Sequence, residues 1–163
     1  MSSKKATANY RVSDFYDGGL IRLDNVEVPS KRVGYKEENG VFIAKVPLGV
    51  PAFEKSIAEI FGNPNNKNWP LSGRLLVGIG ITMPKSAYLT KDVDNMAKSI
   101  LDAFRGIAYQ DDKQIDSLFV SKSLGKAWQV WIALKSLSDN QKSWFIEPML
   151  IKIHEDTATP ESL

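Results

Sequence analysis

The spacing of apolar and polar residues changes period along this chain, and each change marks an element. From Leu20 to Val28 the run LIRLDNVEV alternates, which predicts a first strand ended by Pro29. Glu37-Glu38-Asn39-Gly40 is a turn signal, and GVFIAKVPL after it predicts a second strand. Phe53, Ile57, Ile60 and Phe61 recur at helical spacing, so a helix is expected over Pro51 to Phe61, stopped by Gly62. GNPNNKNWP then reads as a loop. Arg74 to Met83 (RLLVGIGITM) is apolar on both faces, as in a central strand covered on each side. A loop is expected from Pro84 to Lys91, and a second helix from about Asn95 to Arg105 with Gly106 as its cap. Ile115 to Lys122 and Trp128 to Leu134 predict two last strands joined through Leu124-Gly125-Lys126, with Trp128 and Trp131 on opposite strand faces.

These elements predict an α/β fold of the α+β kind: one domain with a mixed β-sheet flanked by two main helices. A strand hairpin would lead to the first helix, and a second hairpin would close the sheet. Residues 1–18 are expected to form a flexible N-terminal extension, beginning with a mobile tail over 1–9 (MSSKKATAN). Residues 19–153 would form the folded domain, and 154–163 a polar C-terminal tail.

Composition narrows the chemistry. The 163 residues are 43% hydrophobic, enough for a core, and no run approaches the ~18 apolar residues of a membrane span. With no signal-peptide pattern either, a cytoplasmic protein without membrane association is expected. The chain has no cysteine, which removes disulfides, thiolate nucleophiles and cysteine-bound zinc. Its single histidine, His154, lies near the polar tail with no nucleophile-elbow sequence, and reads as a surface residue. Carboxylates remain, and they suit hard cations such as Mg²⁺. A net charge of +2 neither declares nor excludes a nucleic-acid partner.

The second helix carries the chemistry. Met96, Ala97, Ile100, Leu101, Ala103 and Phe104 form one apolar stripe, and Asn95, Lys98, Ser99, Asp102 and Arg105 occupy the opposite arc. Asp92 and Asp94 open it, with Asp94 four residues before Lys98; taken alone, Asp94 is an ordinary N-cap and Asp111-Asp112 an ordinary turn. A helix of about eleven residues descends roughly 16 Å, and Gly106 to Gln110, if extended at about 3.3 Å each, could climb back a similar distance. Asp111 and Asp112 would then stand beside Asp92 and Asp94. Such a group of carboxylates needs a counter-charge, which a divalent cation would supply.

The segment from Lys91 through Phe104 (KDVDNMAKSILDAF), followed by Gly106-Ile107-Ala108-Tyr109 and by Asp111-Asp112-Lys113-Gln114-Ile115, resembles the RusA family of Holliday junction resolvases. That family's signature is D-x-D-N-x-x-K-x-x-x-D-A, a short connection, then an aspartate pair and x-Q-[VI]; every polar position of it is filled here. The resemblance implies a homodimeric, Mg²⁺-dependent endodeoxyribonuclease, with Mn²⁺ able to substitute, that cuts four-way and other branched DNA symmetrically in recombination and repair. It makes Asp92, Asp94 and Asp112 the metal-binding catalytic aspartates and Lys98 the catalytic lysine. Asp111 is their neighbour, shaping the turn or adding to the metal site, and Asp102 is structural or supportive. Lys31, Arg32, Lys85, Tyr88, Lys91, Arg105 and Lys113 are the expected DNA contacts. Near the N-terminus, Val28-Pro29-Ser30-Lys31-Arg32 departs from the family pattern by lacking its asparagines.

Two other functions use the same residues: a catalytically silent module that binds branched DNA, and a metal-dependent phosphohydrolase acting on a small nucleotide. The joint presence of Asp92, Asp94, Lys98 and Asp112 argues against the first, and the lack of a Gly-rich phosphate loop against the second.

Overall fold

A computed structural model describes residues 7–11, 18–31, 34–39, 41–45, 49–62 and 68–138. Its main sheet is mixed and five-stranded, formed by β1 (Thr7–Arg11), β2 (Gly18–Asp24), β5 (Arg74–Met83), β6 (Ile115–Leu124) and β7 (Gln129–Leu137) in the order β1-β2-β7-β5-β6. β3 (Gly34–Glu38) and β4 (Val41–Lys45) form a separate two-stranded sheet. The helices are α1 (Gly49–Phe61), the short α2 (Lys85–Thr90) and α3 (Val93–Phe104). The α+β class with two main helices is therefore as expected. No described helix is long and apolar enough to cross a membrane.

β5 runs between β6, parallel to it, and β7, antiparallel to it. Its alternate residues Leu75, Val77, Ile79, Ile81 and Met83 join the main core with Met96, Ile100 and Phe104 of α3 and Phe53, Ile57 and Phe61 of α1. On the other face Leu76 joins Leu20, Trp131, Ala133 and Leu137 in a second cluster. Burial on both faces is what the unbroken apolar run required. Trp131 is buried in that second cluster and Trp128 packs against the first, so the two tryptophans do lie on opposite faces.

The strand connections differ from those expected. β6 and β7 do not pair as a closing hairpin; they flank β5 on opposite sides. The chain crosses the end of β5 at Gly125, whose N–H donates to Met83 O at 2.9 Å. A Cβ at Gly125 would come within 2.3 Å of the Thr82 methyl, so a larger residue at the crossing would have to displace that side chain. The first hairpin is also different, since β4 pairs with β3 while β2 enters the main sheet. Thr7–Arg11, expected in a flexible extension, pairs with β2 throughout and covers its otherwise bare backbone edge. Pro84 to Lys91, expected as loop, contains α2, which Lys122 of β6 holds from outside. The Lys122 ammonium donates to the carbonyls of Tyr88 (2.9 Å) and Lys91 (2.8 Å) at the end of that helix.

α3 runs back from the Met83 end of the sheet towards its Leu75 end, because it links two parallel strands. A segment without regular structure, Val28 to Lys31, is tied along its flank. Lys91 Nζ donates to Val28 O (2.9 Å), Ser99 Oγ to Pro29 O (2.8 Å) and Lys31 N–H to Asn95 O (3.1 Å). Ser99 is fully buried, and these bonds explain how a polar residue is tolerated there.

Candidate active site

Asp92 occupies the N-cap position of α3, one residue before the helix, yet its side chain makes no capping bond to the backbone. Its Oδ2 accepts instead from Asn95 Nδ2 at 3.3 Å. Asp94 lies inside the first turn rather than at the cap. The capping reading of Asp94 is thus replaced by two exposed carboxylates at the positive end of a helix dipole.

Four residues later comes Lys98, and four after that Asp102. Steps of four keep them on one side of the helix, about 6 Å apart along its axis. Asp94, Lys98 and Asp102 line a cleft of about 390 Å³ with Asp112, over an apolar floor of Val93, Ala97, Leu101, Leu118 and Val120. Leu118 and Val120 belong to β6, so helix and sheet edge form the two walls.

Asp112 enters this cleft from below rather than from above. The chain after α3 does not extend: Gly106 takes a positive φ of 78°, its N–H bonds Tyr109 O (2.7 Å), and Ala108 N–H bonds Phe104 O (2.9 Å). Gln114 Nε2 then fastens the turn to the carbonyls of Leu71 (3.1 Å) and Gly73 (2.8 Å), just before β5 begins. Asp112 therefore sits beside the last turns of α3, not level with Asp92 and Asp94, and the climb expected from the sequence is made by β6 itself. No group of three or more metal-binding carboxylates is found among the described residues.

Asp111 serves the turn. Its Oδ1 accepts from Lys113 N–H at 2.9 Å, and Gln114 Oε1 accepts from Asp111 N–H at 3.0 Å, a reciprocal cap of the short 3₁₀ helix Asp112–Gln114. It is not among the residues lining the cleft.

Asp112 itself is poorly satisfied. Its Oδ1 is buried with no hydrogen-bond partner. The neighbouring Tyr109 hydroxyl bonds Leu101 O at 2.6 Å and also lies within hydrogen-bonding reach of the Asp112 carboxylate. Burial, and after it the Asp112 charge, pushes the Tyr109 pKa well above the ordinary phenol value, so this group stays neutral.

Asp102 has a counter-charge from within the chain, whereas the four aspartates for which a cation was expected do not share it. Lys31 Nζ lies 2.7 Å from Asp102 Oδ2 and 3.2 Å from Glu54 Oε1 of α1. Burial pulls the Lys31 pKa down, but the two carboxylates outweigh it and the net shift is upward. A lysine raised in the folded state stabilises fully below its unfolded pKa and loses that contribution as pH rises through the folded value. We expect Lys31→Met to flatten the loss of stability above about pH 10.5, measured by urea unfolding at stepped alkaline pH. An unchanged slope would mean that the triad is not coupled to folding.

Other expected DNA contacts divide by their present partners. Lys91 is held by Val28 O and by Glu27 (3.2 Å), with its ammonium 5.5 Å from the Trp128 ring centre. Tyr88 packs against the core under the Lys122 ammonium. Lys85, Lys98 and Lys113 are exposed and make no ion pair among the described residues. Arg32 and His154 lie outside the described residues. Sequence reasoning gave Asp102 only a supporting part and omitted Lys122 and Tyr109. The helical spacing of Asp94, Lys98 and Asp102 was visible, whereas nothing local marks the other two.

The donor set suits a hard cation by chemistry, being all carboxylate oxygen, with an unpartnered oxygen at Asp112. It gathers fewer carboxylates in one place than expected.

No curated protein matches the chain. The family described as Endodeoxyribonuclease RusA matches residues 25–135, more than half of the sequence, a span that includes α1, α3, the cleft and its sheet wall. With that match, the chain belongs to the RusA family of Holliday junction-resolving endodeoxyribonucleases.

Proposed function

We propose that this protein resolves Holliday junctions by metal-dependent, symmetric phosphodiester cleavage in DNA recombination and repair, acting in the cytoplasm as a homodimer. The observation that carries this reading is the cleft lined by Asp94, Lys98 and Asp112 within the matched region. Two nicks placed symmetrically in a four-way junction call for two such clefts related by a two-fold axis.

Mg²⁺ would bind to the carboxylates of the cleft, Asp94 at its upper end and Asp112 at its lower end, with Asp92 beside the upper end and Asp111 shaping the turn that presents Asp112. When bound, the ion would activate water and stabilise charge on the phosphate. Lys98, exposed in the cleft and without an ion pair among the described residues, is placed to bind a phosphate oxygen of the strand to be cut. Leu118 and Val120 form an apolar floor beneath that phosphate. Exposed Lys85 and Lys113 would meet the flanking backbone.

The test is cleavage of an end-labelled synthetic four-way junction in Mg²⁺, Mn²⁺ or EDTA, beside a linear duplex. Paired, symmetric, metal-requiring nicks that spare the duplex are expected. Tight binding without nicks in any divalent metal would instead indicate a binding module.

A further inference from the structure

The lower end of the cleft holds a cation whose placement differs from every other nearby. One nitrogen of Arg105, Nη1, lies 3.9 Å from Asp102 Oδ1 and also 3.9 Å from Asp112 Oδ2. Both distances are too long for hydrogen bonds, so charge rather than directed bonding keeps the guanidinium there. About half of its side chain remains exposed. Lys31, by contrast, is locked to Asp102 at 2.7 Å and to Glu54, behind the cleft. Lys98 makes no ion pair among the described residues. Arg105 is therefore the one described cation within 4 Å of the Asp112 carboxylate, whose other oxygen is buried and lacks a donor.

We propose that Arg105 is the resting counter-ion of Asp102 and Asp112, and that a divalent cation must displace it to load the cleft. The proposal rests on the reading that this cleft takes a divalent cation. Arg105 thereby sets the metal concentration at which the site fills. Its loose double contact is suited to this: it offsets carboxylate repulsion while the metal is away, and no hydrogen bond has to break for it to leave. Because its Cα sits at the end of α3, displacement swings the side chain without disturbing the helix.

The experiment is Mn²⁺ titration of the full chain without DNA, followed by electron paramagnetic resonance, for the wild type, Arg105→Gln and Arg105→Lys. Removing the competing charge should tighten Mn²⁺ binding about three- to tenfold in Arg105→Gln, as expected for one or two exposed charge pairs. Arg105→Lys should stay within about twofold of wild type. The half-saturating Mg²⁺ concentration for junction cleavage should fall in Arg105→Gln by a similar factor. A merely structural role would weaken metal binding or leave it alone, and either result in a variant with wild-type melting behaviour overturns the proposal. If the wild type binds no Mn²⁺ at all, the functional reading falls with it. Wild-type binding that Arg105→Gln does not tighten defeats this inference alone.

Discussion

Asp112→Asn and Asp94→Asn are each expected to slow junction cleavage by about 10²- to 10⁴-fold, the usual scale for loss of one group that acts in the chemical step. Junction affinity measured in EDTA should change by less than about threefold, because the amide keeps the carboxylate's shape. Asp112 has one oxygen buried without a donor and only a loose, half-exposed pairing with Arg105 at the other, so removing its charge should cost the fold little. Asp94 is exposed, and its loss costs at most a small favourable interaction with the helix dipole. Single-turnover rates on a labelled junction, with gel-shift affinities alongside, check this. Either variant cutting at the wild-type rate in Mg²⁺ would remove that residue from the site.

Phe104→Ala should cost about 3–5 kcal/mol of stability, the range for deleting a buried aromatic ring. Phe104 is 1% exposed and closes the lower end of α3 on α1. Its ring centre is 5.3 Å from that of Phe61, which in turn lies 6.3 Å from Trp69. The same turn of α3 carries Asp102 and leads to the loop that presents Asp112. The cavity would therefore loosen the lower cleft as well as the core. Urea unfolding should show a lowered midpoint with an unchanged slope. A loss below about 1 kcal/mol would show that this contact does not anchor the helix.

What could be read from the sequence depended on the range of the interaction that decides each feature. The periods of β5, α1 and α3 are local, and their positions were legible to within two residues. Connectivity was not. The short link between β6 and β7 suggested a hairpin, yet both strands carry a contrary signal. Val130 through Leu134 is apolar on both faces and fits an interior strand, whereas Asp116, Ser117, Ser121, Lys122 and Ser123 suit the exposed edge that β6 occupies. α2 owes its hold to Lys122, more than thirty residues away, and β1 to pairing with β2; neither has a strong period of its own. For the site, the residue types were legible and their level was not. Treating Gly106 to Gln110 as extended overlooked what a glycine with positive φ does after a helix: it curls the chain beneath the last turn.

The segment from Val28 to Lys31 has the look of a loop and the attachments of a strand. Its backbone groups at Val28, Pro29 and Lys31 are each bonded to α3 or its approach, and its last side chain is clamped between two helices. Opening it means breaking these bonds together, so it belongs to the same cooperative unit as the helix. The amide of this segment that bonds the helix, Lys31 N–H, is thus expected to resist hydrogen exchange about as long as the amides of α3. The helix that lines the cleft thus has a piece of irregular chain laced along its flank.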